Sequence, residues 1–329
     1  MTIEVQPAPA VVGGRQRLGG LTQSSTEHLV LIGVLVAMAA YFLLAEPLFG
    51  SSRNMQNLAS QCAVLAMVAA GQLFVILGGG IDLSVGAQVG ALSIVAVELS
   101  LTMPLVLAFV CTIAAGCLVG LVNGLMITRL RISPIIATVA TLQILTGLTL
   151  AYTKGLPRRN FDPLYTALGT DAVWVLPLAA LLALAVFGLA AFILKRTTFG
   201  RYTYAVGGNA EAARLSGINV RAVTLGTYVL CSFFTALGAI TLSSRTGSGL
   251  PDLGSGLEIT AIAAVFIGGI AWGGGRGTAL GAMLGVLLIA MLGNGLDLLA
   301  VQTNVQTVVT GLLMAAAVGL GQIRRGSRG

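Results

Sequence analysis

Apolar runs long enough to cross a bilayer alternate with short polar or glycine- and proline-rich breaks along almost the whole chain. A hydrocarbon core ~30 Å thick takes ~20 residues of helix. About ten such runs stand out, at 29–44, 58–77, 85–101, 105–127, 134–152, 174–194, 222–241, 259–271, 278–292 and 305–320, the eighth and tenth being short. The pattern predicts an all-α polytopic membrane bundle of about ten helices, some short or broken. A single membrane domain over 29–322 would lie between a flexible tail at 1–28 and a basic tail at 323–329.

Composition agrees. Of the 329 residues 56% are hydrophobic and 9% charged, with a mean hydropathy of +0.95, against ~25% charged in a soluble domain. A cytosolic globule is excluded. The net charge of +7 is thinly spread and no basic cluster interleaves with aromatics, so nucleic acid is not the expected partner. Basic loops stay on the cytoplasmic side. With the N-terminus inside, Arg15, Arg17, Arg129, Arg131, Lys195, Arg196, Arg201, Arg214, Arg221, Arg276, Arg324, Arg325 and Arg328 are cytoplasmic. Arg53, Lys154, Arg158, Arg159 and Arg245 are then external. That asymmetry sets both termini inside and an even helix count.

Cys62, Cys111, Cys117 and Cys231 fall inside apolar runs and read as small hydrophobes, not disulfides or a metal site. His28 opens the first run, where an interfacial role is expected. Neither lysine completes a phosphate-cradling loop, so the chain has no nucleotide site of its own. Trp174 and Trp272 fit interfacial anchoring.

Three glycines at 78–80 stop the second helix, and Asp82 or Ser84 suits the opening of the third. A helix break at membrane depth is tolerated only where backbone is buried in protein or lines water. Gly79, Asp82 and Ser84 are therefore read as part of a gate or pathway, or else as a tight cytoplasmic turn with a capping Asp. Two loops are long, at 195–221 inside and 243–257 outside. Within the first, Asn209 is a good N-cap, Glu211 and Arg214 sit in a short helical stretch, and Gly217 is a good stop. So short a helix is marginal alone. It packs either on its own membrane helices or into a partner, and the partner is preferred.

Asn-Gly-Leu recurs at 123–125 and 294–296, each downstream of a glycine-rich break, as a duplicated half would show, although the spacing from break to Asn differs. Gln61, Gln72, Gln88, Asn123, Gln143 and Asn294 lie inside apolar runs, where amides bond neighbouring helices or line a route for a hydroxylated solute. Externally, Arg158, Arg159, Arg245 and Asp252 mark ordinary solvated loops or a contact with a soluble donor protein.

These residues resemble the ribose-type monosaccharide permeases of bacterial ATP-binding-cassette importers over roughly 50–322. The resemblance rests on Gly79-Gly80-Ile81-Asp82-Leu83-Ser84-Val85-Gly86, on Gly207-Gly208-Asn209 with Arg214-Leu215-Ser216-Gly217-Ile218-Asn219-Val220, and on Gly254-Ser255-Gly256-Leu257-Glu258 leading to Gly273-Gly274-Gly275-Arg276-Gly277. It implies a multi-pass inner-membrane permease paired with a second permease copy or paralogue, two cassette ATPase subunits that bind ATP and magnesium, and a periplasmic solute-binding protein. Glu211-Ala212-Ala213 with Gly217 looks like the element by which importer permeases dock into the ATPase, although its I-x-L-P portion is missing. The stretch 155–171 is shorter than in ribose permeases and closer to those importing autoinducer-2 or other small polyols. The permease itself would need no cofactor and break no bond. Two rivals remain. In an ion-gradient transporter Asp82, Glu98 or Asp297 would be the proton site. A lipid-modifying membrane enzyme lacks its paired acids, metal spacings and nucleophile.

Overall fold

The computed structural model describes residues 16–326. Each of the ten apolar runs becomes a helix: α1 Gln16–Ala45, α2 Ser52–Leu77, α3 Val85–Ser100, α4 Leu105–Thr128, α5 Pro134–Thr153, α7 Leu178–Arg196, α10 Val220–Thr246, α11 Leu257–Ile267, α12 Ala279–Leu298 and α13 Thr303–Gly326. Among the described residues seven helices are long and apolar enough to span a membrane, while α3 and α11 are short apolar helices. α6 Pro163–Thr170, α8 Thr198–Gly208 and α9 Ala210–Leu215 lie in the connections.

Three boundaries differ from expectation. Residues 1–15 of the proposed N-terminal tail lie outside the described residues, and 16–28 form the opening of α1. At the other end α13 runs through to Gly326, leaving 327–329 outside the described residues. Trp174 is not in a helix: it sits at positive φ in the hairpin of β2 Ala172–Val173 and β3 Leu176–Pro177, almost fully exposed, and Pro177 caps α7 instead.

The core is built on α2 and α10, where Met67, Ala70, Phe74, Phe234 and Ala239 are buried. Gly71 lets the two axes approach, since a Cβ there would stand 2.7 Å from the Cys231 carbonyl oxygen. Helix α4 meets α10 through Gly116, Gly120 and Gly124, a small residue each turn. A Cβ at Gly120 would stand 2.5 Å from the Tyr228 carbonyl oxygen. Lipid tails supply no hydrophobic drive between helices, so this close backbone contact provides the attraction.

Two long helices are each followed by a segment that folds back before a short apolar helix begins. After α2 the chain turns back at Gly78–Gly80, with Gly79 at φ +85°, and α3 starts beside Tyr228, whose hydroxyl donates to the Ile81 carbonyl (3.3 Å). After α10 the segment 247–256 runs back along α3: β4 Ser248–Gly249 pairs antiparallel with β1 Arg158–Arg159, Leu250 N–H donates to Ser93 (3.3 Å), and Gly254 reaches Gly86. There α11 begins. The openings of α3 and α11 therefore meet, Gly86 and Gly254 being so close that a Cβ on Gly86 would stand 2.7 Å from the Gly254 carbonyl oxygen.

This pairing relocates the duplication. The counterpart of the 78–86 break is 247–256, not the glycines near 273. Asp82-Leu83 then matches Asp252-Leu253, and the distances from Asp82 to Asn123 and from Asp252 to Asn294 differ by one residue. The units α2–α3–α4 and α10–α11–α12 run in opposite senses, an inverted repeat whose discontinuous helices face each other inside the bundle.

Candidate functional site

At the first break seven polar side chains form one buried cluster. The Thr141 hydroxyl donates to Asn123 Oδ1 (2.5 Å), and Asn123 Nδ2 donates to Ser84 Oγ (2.9 Å). Ser84 Oγ also accepts from Gln88 Nε2 (2.9 Å) and donates to Asp82 Oδ1 (2.5 Å). The Ser84 amide donates to the same Asp82 oxygen (2.8 Å), Gln72 donates to the Asp82 carbonyl, and Tyr228 closes the cluster over Ile81. Ser84 makes no side-chain cap to α3. Asp82 and Ser84 instead form a local turn held to α2, α3, α4 and α5. Gln72, Asp82, Ser84 and Asn123 are thus brought together, with no exposed surface. They clasp helices and do not line an open route.

Open space lies beside the clasp. A cavity of about 220 Å³ is bounded by Gly79, Gly80, Ile81, Pro134, Phe266 and Trp272. A second, of about 140 Å³, is bounded by Gly86, Leu142, Thr146, Asp252, Ser255 and Glu258. Both lie along α5, with the two breaks on the opposite wall. Asp252 is therefore not on the external rim where the sequence placed it. It belongs to the returning segment, and Glu258 opens α11 against Gly86. Gly86 lies twelve positions before Glu98 on α3, about 18 Å at 1.5 Å per residue, which sets Glu258 about that far along α3 from the Glu98–Arg158 pair. Sequence reading missed Glu258, Thr141 and Tyr228 as functional candidates. A carboxylate opening an 11-residue apolar helix was the available signal for Glu258, since acids at membrane depth are functional by default.

The loop at 195–221 is a pair of helices. Thr197 caps α8 by accepting from Gly200 N–H (3.1 Å), and Asn209 caps α9 by accepting from Ala212 N–H (2.9 Å). Gly217 sits at φ +81° and ends α9. Ala213 alone of this short helix is buried, packed with Val206 and Val223, while Glu211, Ala212, Arg214 and Gly217 face outward. The helix is anchored by one methyl and presents the rest. Arg214 pairs with Glu211 (2.5 Å), holding that carboxyl below its usual range by a hydrogen bond first and by charge second.

Helix α8 ends against the first break. A Cβ on Gly207 would collide with the Leu77 carbonyl oxygen, which itself accepts from Gly275 N–H (2.9 Å). Tyr204 donates to the Gly277 carbonyl (2.9 Å). Helix α8, which carries the outward-facing α9, is thus fastened to the end of α2 and to the 273–277 turn.

Other expectations fall elsewhere. Gln143 is exposed on α5 and joins no cluster. Asn294 exchanges two hydrogen bonds with Asn54 (2.9 Å each), tying α12 to the start of α2 away from both cavities. Externally Arg158 pairs with Glu98 (3.0 Å) and covers the Tyr152 ring. Arg159 is exposed, and Arg245 is half-buried with its backbone against Gly169 of α6. Of the three acids considered for proton transfer, Glu98 is in this ion pair and Asp297 is exposed, accepting from Gln306 (2.7 Å). Only Asp82 is buried.

Residues 54–318 match the family described as branched-chain amino acid transport system / permease component. The chain is similar to the ribose import permease protein of Haemophilus influenzae, 36% identical over 86% of this chain and 90% of the relative. It is similar to that of Bacillus subtilis, 40% identical over 83% and 86%. The galactose/methyl galactoside import permease protein of Escherichia coli is 32% identical over 88% and 93%. No solved structure matches. With the match covering nearly all the described bundle, this multi-pass membrane protein belongs to the permease-component family of ATP-binding-cassette importers.

Proposed function

We propose that this chain is the membrane-spanning subunit of a bacterial importer and moves a monosaccharide or similar polyhydroxylated solute by alternating access. Cassette ATPases, a periplasmic binding protein and a second permease copy or paralogue are its partners. The carrying observation is the backbone contact at Gly207: α8, on which the outward-facing α9 is seated, abuts the end of α2 where the first break begins. A push on α9 has a short rigid path to a broken helix. Hydrolysis occurs on the partner, and the permease binds neither ATP nor magnesium.

The route runs along α5 through the two cavities. Thr146, Ser255, Asp252 and Glu258 supply hydroxyl and carboxylate groups there, fitting a solute rich in hydroxyls. Three relatives carry ribose or galactose in their names, which supports a sugar over an amino acid. Arg158, Arg159 and Arg245 remain the external contact for the binding protein.

Reconstitution tests this reading. Proteoliposomes holding the chain, its ATPase and its binding protein should accumulate the sugar only with ATP and regardless of an uncoupler. Glu211→Lys and Gly217→Pro should insert normally yet abolish uptake. Uphill uptake by the chain alone, or normal uptake by both variants, overturns the proposal.

A further inference from the structure

Among the described residues Asp82 is the one ionisable carboxyl that is buried. Every group facing it is neutral: Gln72 from α2, Ser84 from its own turn, Gln88 from α3, Asn123 from α4, Thr141 beyond it on α5, and Tyr228 and Cys231 from α10. Among the described residues no Lys, Arg or His side chain is buried.

The hydrogen bonds show a specific deficit. Asp82 Oδ1 receives both the hydroxyl and the amide of Ser84. Three oxygens of the same cluster receive nothing: Asp82 Oδ2, Gln72 Oε1 and Gln88 Oε1. All three belong to side chains with no exposed surface. An ionised carboxylate accepts only, so it would leave three orphaned acceptors and an uncompensated charge in a buried site.

We infer that Asp82 binds a proton and is held as a neutral carboxylic acid, its Oδ2–H donating to an amide oxygen of Gln72 or Gln88. One proton removes the charge, gives Oδ2 a role and satisfies a second acceptor. A metal cation fits poorly, because it needs room for several ligands and both cavities are bounded by other residues. The acid is then a clasp in the break, joining α2 and α3 without a charge in the membrane. It is neither a solute contact nor a shuttling proton site.

Infrared spectroscopy on the full chain in lipid nanodiscs tests this without any transport assay, so its failure is separable from failure of the importer reading. Asp162, Asp171 and Asp297 are exposed and Asp252 bounds a cavity, so a protonated, carbon-13-shifted aspartate band at neutral pH that persists in Asp252→Asn and disappears in Asp82→Asn reports Asp82. Its presence is expected, and its absence overturns the inference. In reconstituted importer Asp82→Asn should keep uptake within about threefold of wild type, while Asp82→Ala should lose tenfold or more. An inserted Asn variant as defective as the Ala variant, or uptake that requires sodium, overturns it equally.

Discussion

Gly207→Ala tests the mechanical link between α9 and the first break, and its neighbour supplies the control. Both Gly207 and Gly208 close α8. A Cβ on Gly207 would collide with the Leu77 carbonyl oxygen and stand 2.7 Å from Gly275 N, whereas a Cβ on Gly208 meets nothing within 4 Å. Backbone on both sides leaves no flexible side chain to give way, so α8 must retreat. Overpacking costs about 1–3 kcal/mol. If the retreat breaks the Gly275 N–H to Leu77 bond, about 1 kcal/mol more is lost. The helix-propensity gain of Ala over Gly, about 1 kcal/mol, is common to both variants and cancels in the comparison. Gly207→Ala should therefore be less stable than Gly208→Ala by roughly 2–4 kcal/mol in denaturant unfolding of the purified permease. In proteoliposomes it should hydrolyse ATP on its partner while losing most uptake, and Gly208→Ala should match wild type. Equal stability and equal uptake for the two variants would refute the argument that this contact transmits the motion.

Two further outcomes follow from single contacts. Asn54→Ala strands the buried amide of Asn294 and should cost about 1–3 kcal/mol. The double variant Asn54→Ala, Asn294→Leu should recover part of that loss, which unfolding of the single and double variants measures. For Glu211, whose carboxyl is held low by Arg214, the sign is that of a depressed acid. The ion pair contributes above the ordinary carboxylate range and is lost as pH falls through the lowered value. ATPase docking measured from pH 8 downward should thus stay flat to about pH 5, given an unperturbed glutamate near 4.3. Glu211→Gln should show no acid-side loss from this pair.

Part of this architecture was legible because local chemistry decides it. A membrane helix satisfies its own backbone, so an apolar run of sufficient length becomes a helix whatever surrounds it. All ten runs did so. Asn209 and Gly217 bounded α9 as read, since a cap and a left-handed stop are set by the residues themselves. The break at Gly78–Gly80 was equally visible. Depth, burial and partnership were not. Asp82 and Asp252 stand in similar x-Asp-Leu settings, yet one is sealed in a hydrogen-bonded clasp and the other bounds a cavity. Gln143 and Asn123 looked alike as amides in apolar runs, and one faces outward while the other ties α4 to α5 and to the Ser84 turn.

Sequence by itself determined that the chain is an all-α polytopic membrane protein, which stretches form its apolar helices and where α9 and the first break stop. Each of these follows from residues within a turn or two, or from composition. Only the tertiary structure decided that 247–256 returns along α3 to set Glu258 beside Gly86, and that Asn294 serves Asn54. It also set Gly207 against Leu77. Those contacts join residues far apart in the chain, and helices apolar on every face leave no stripe to announce which side meets a neighbour.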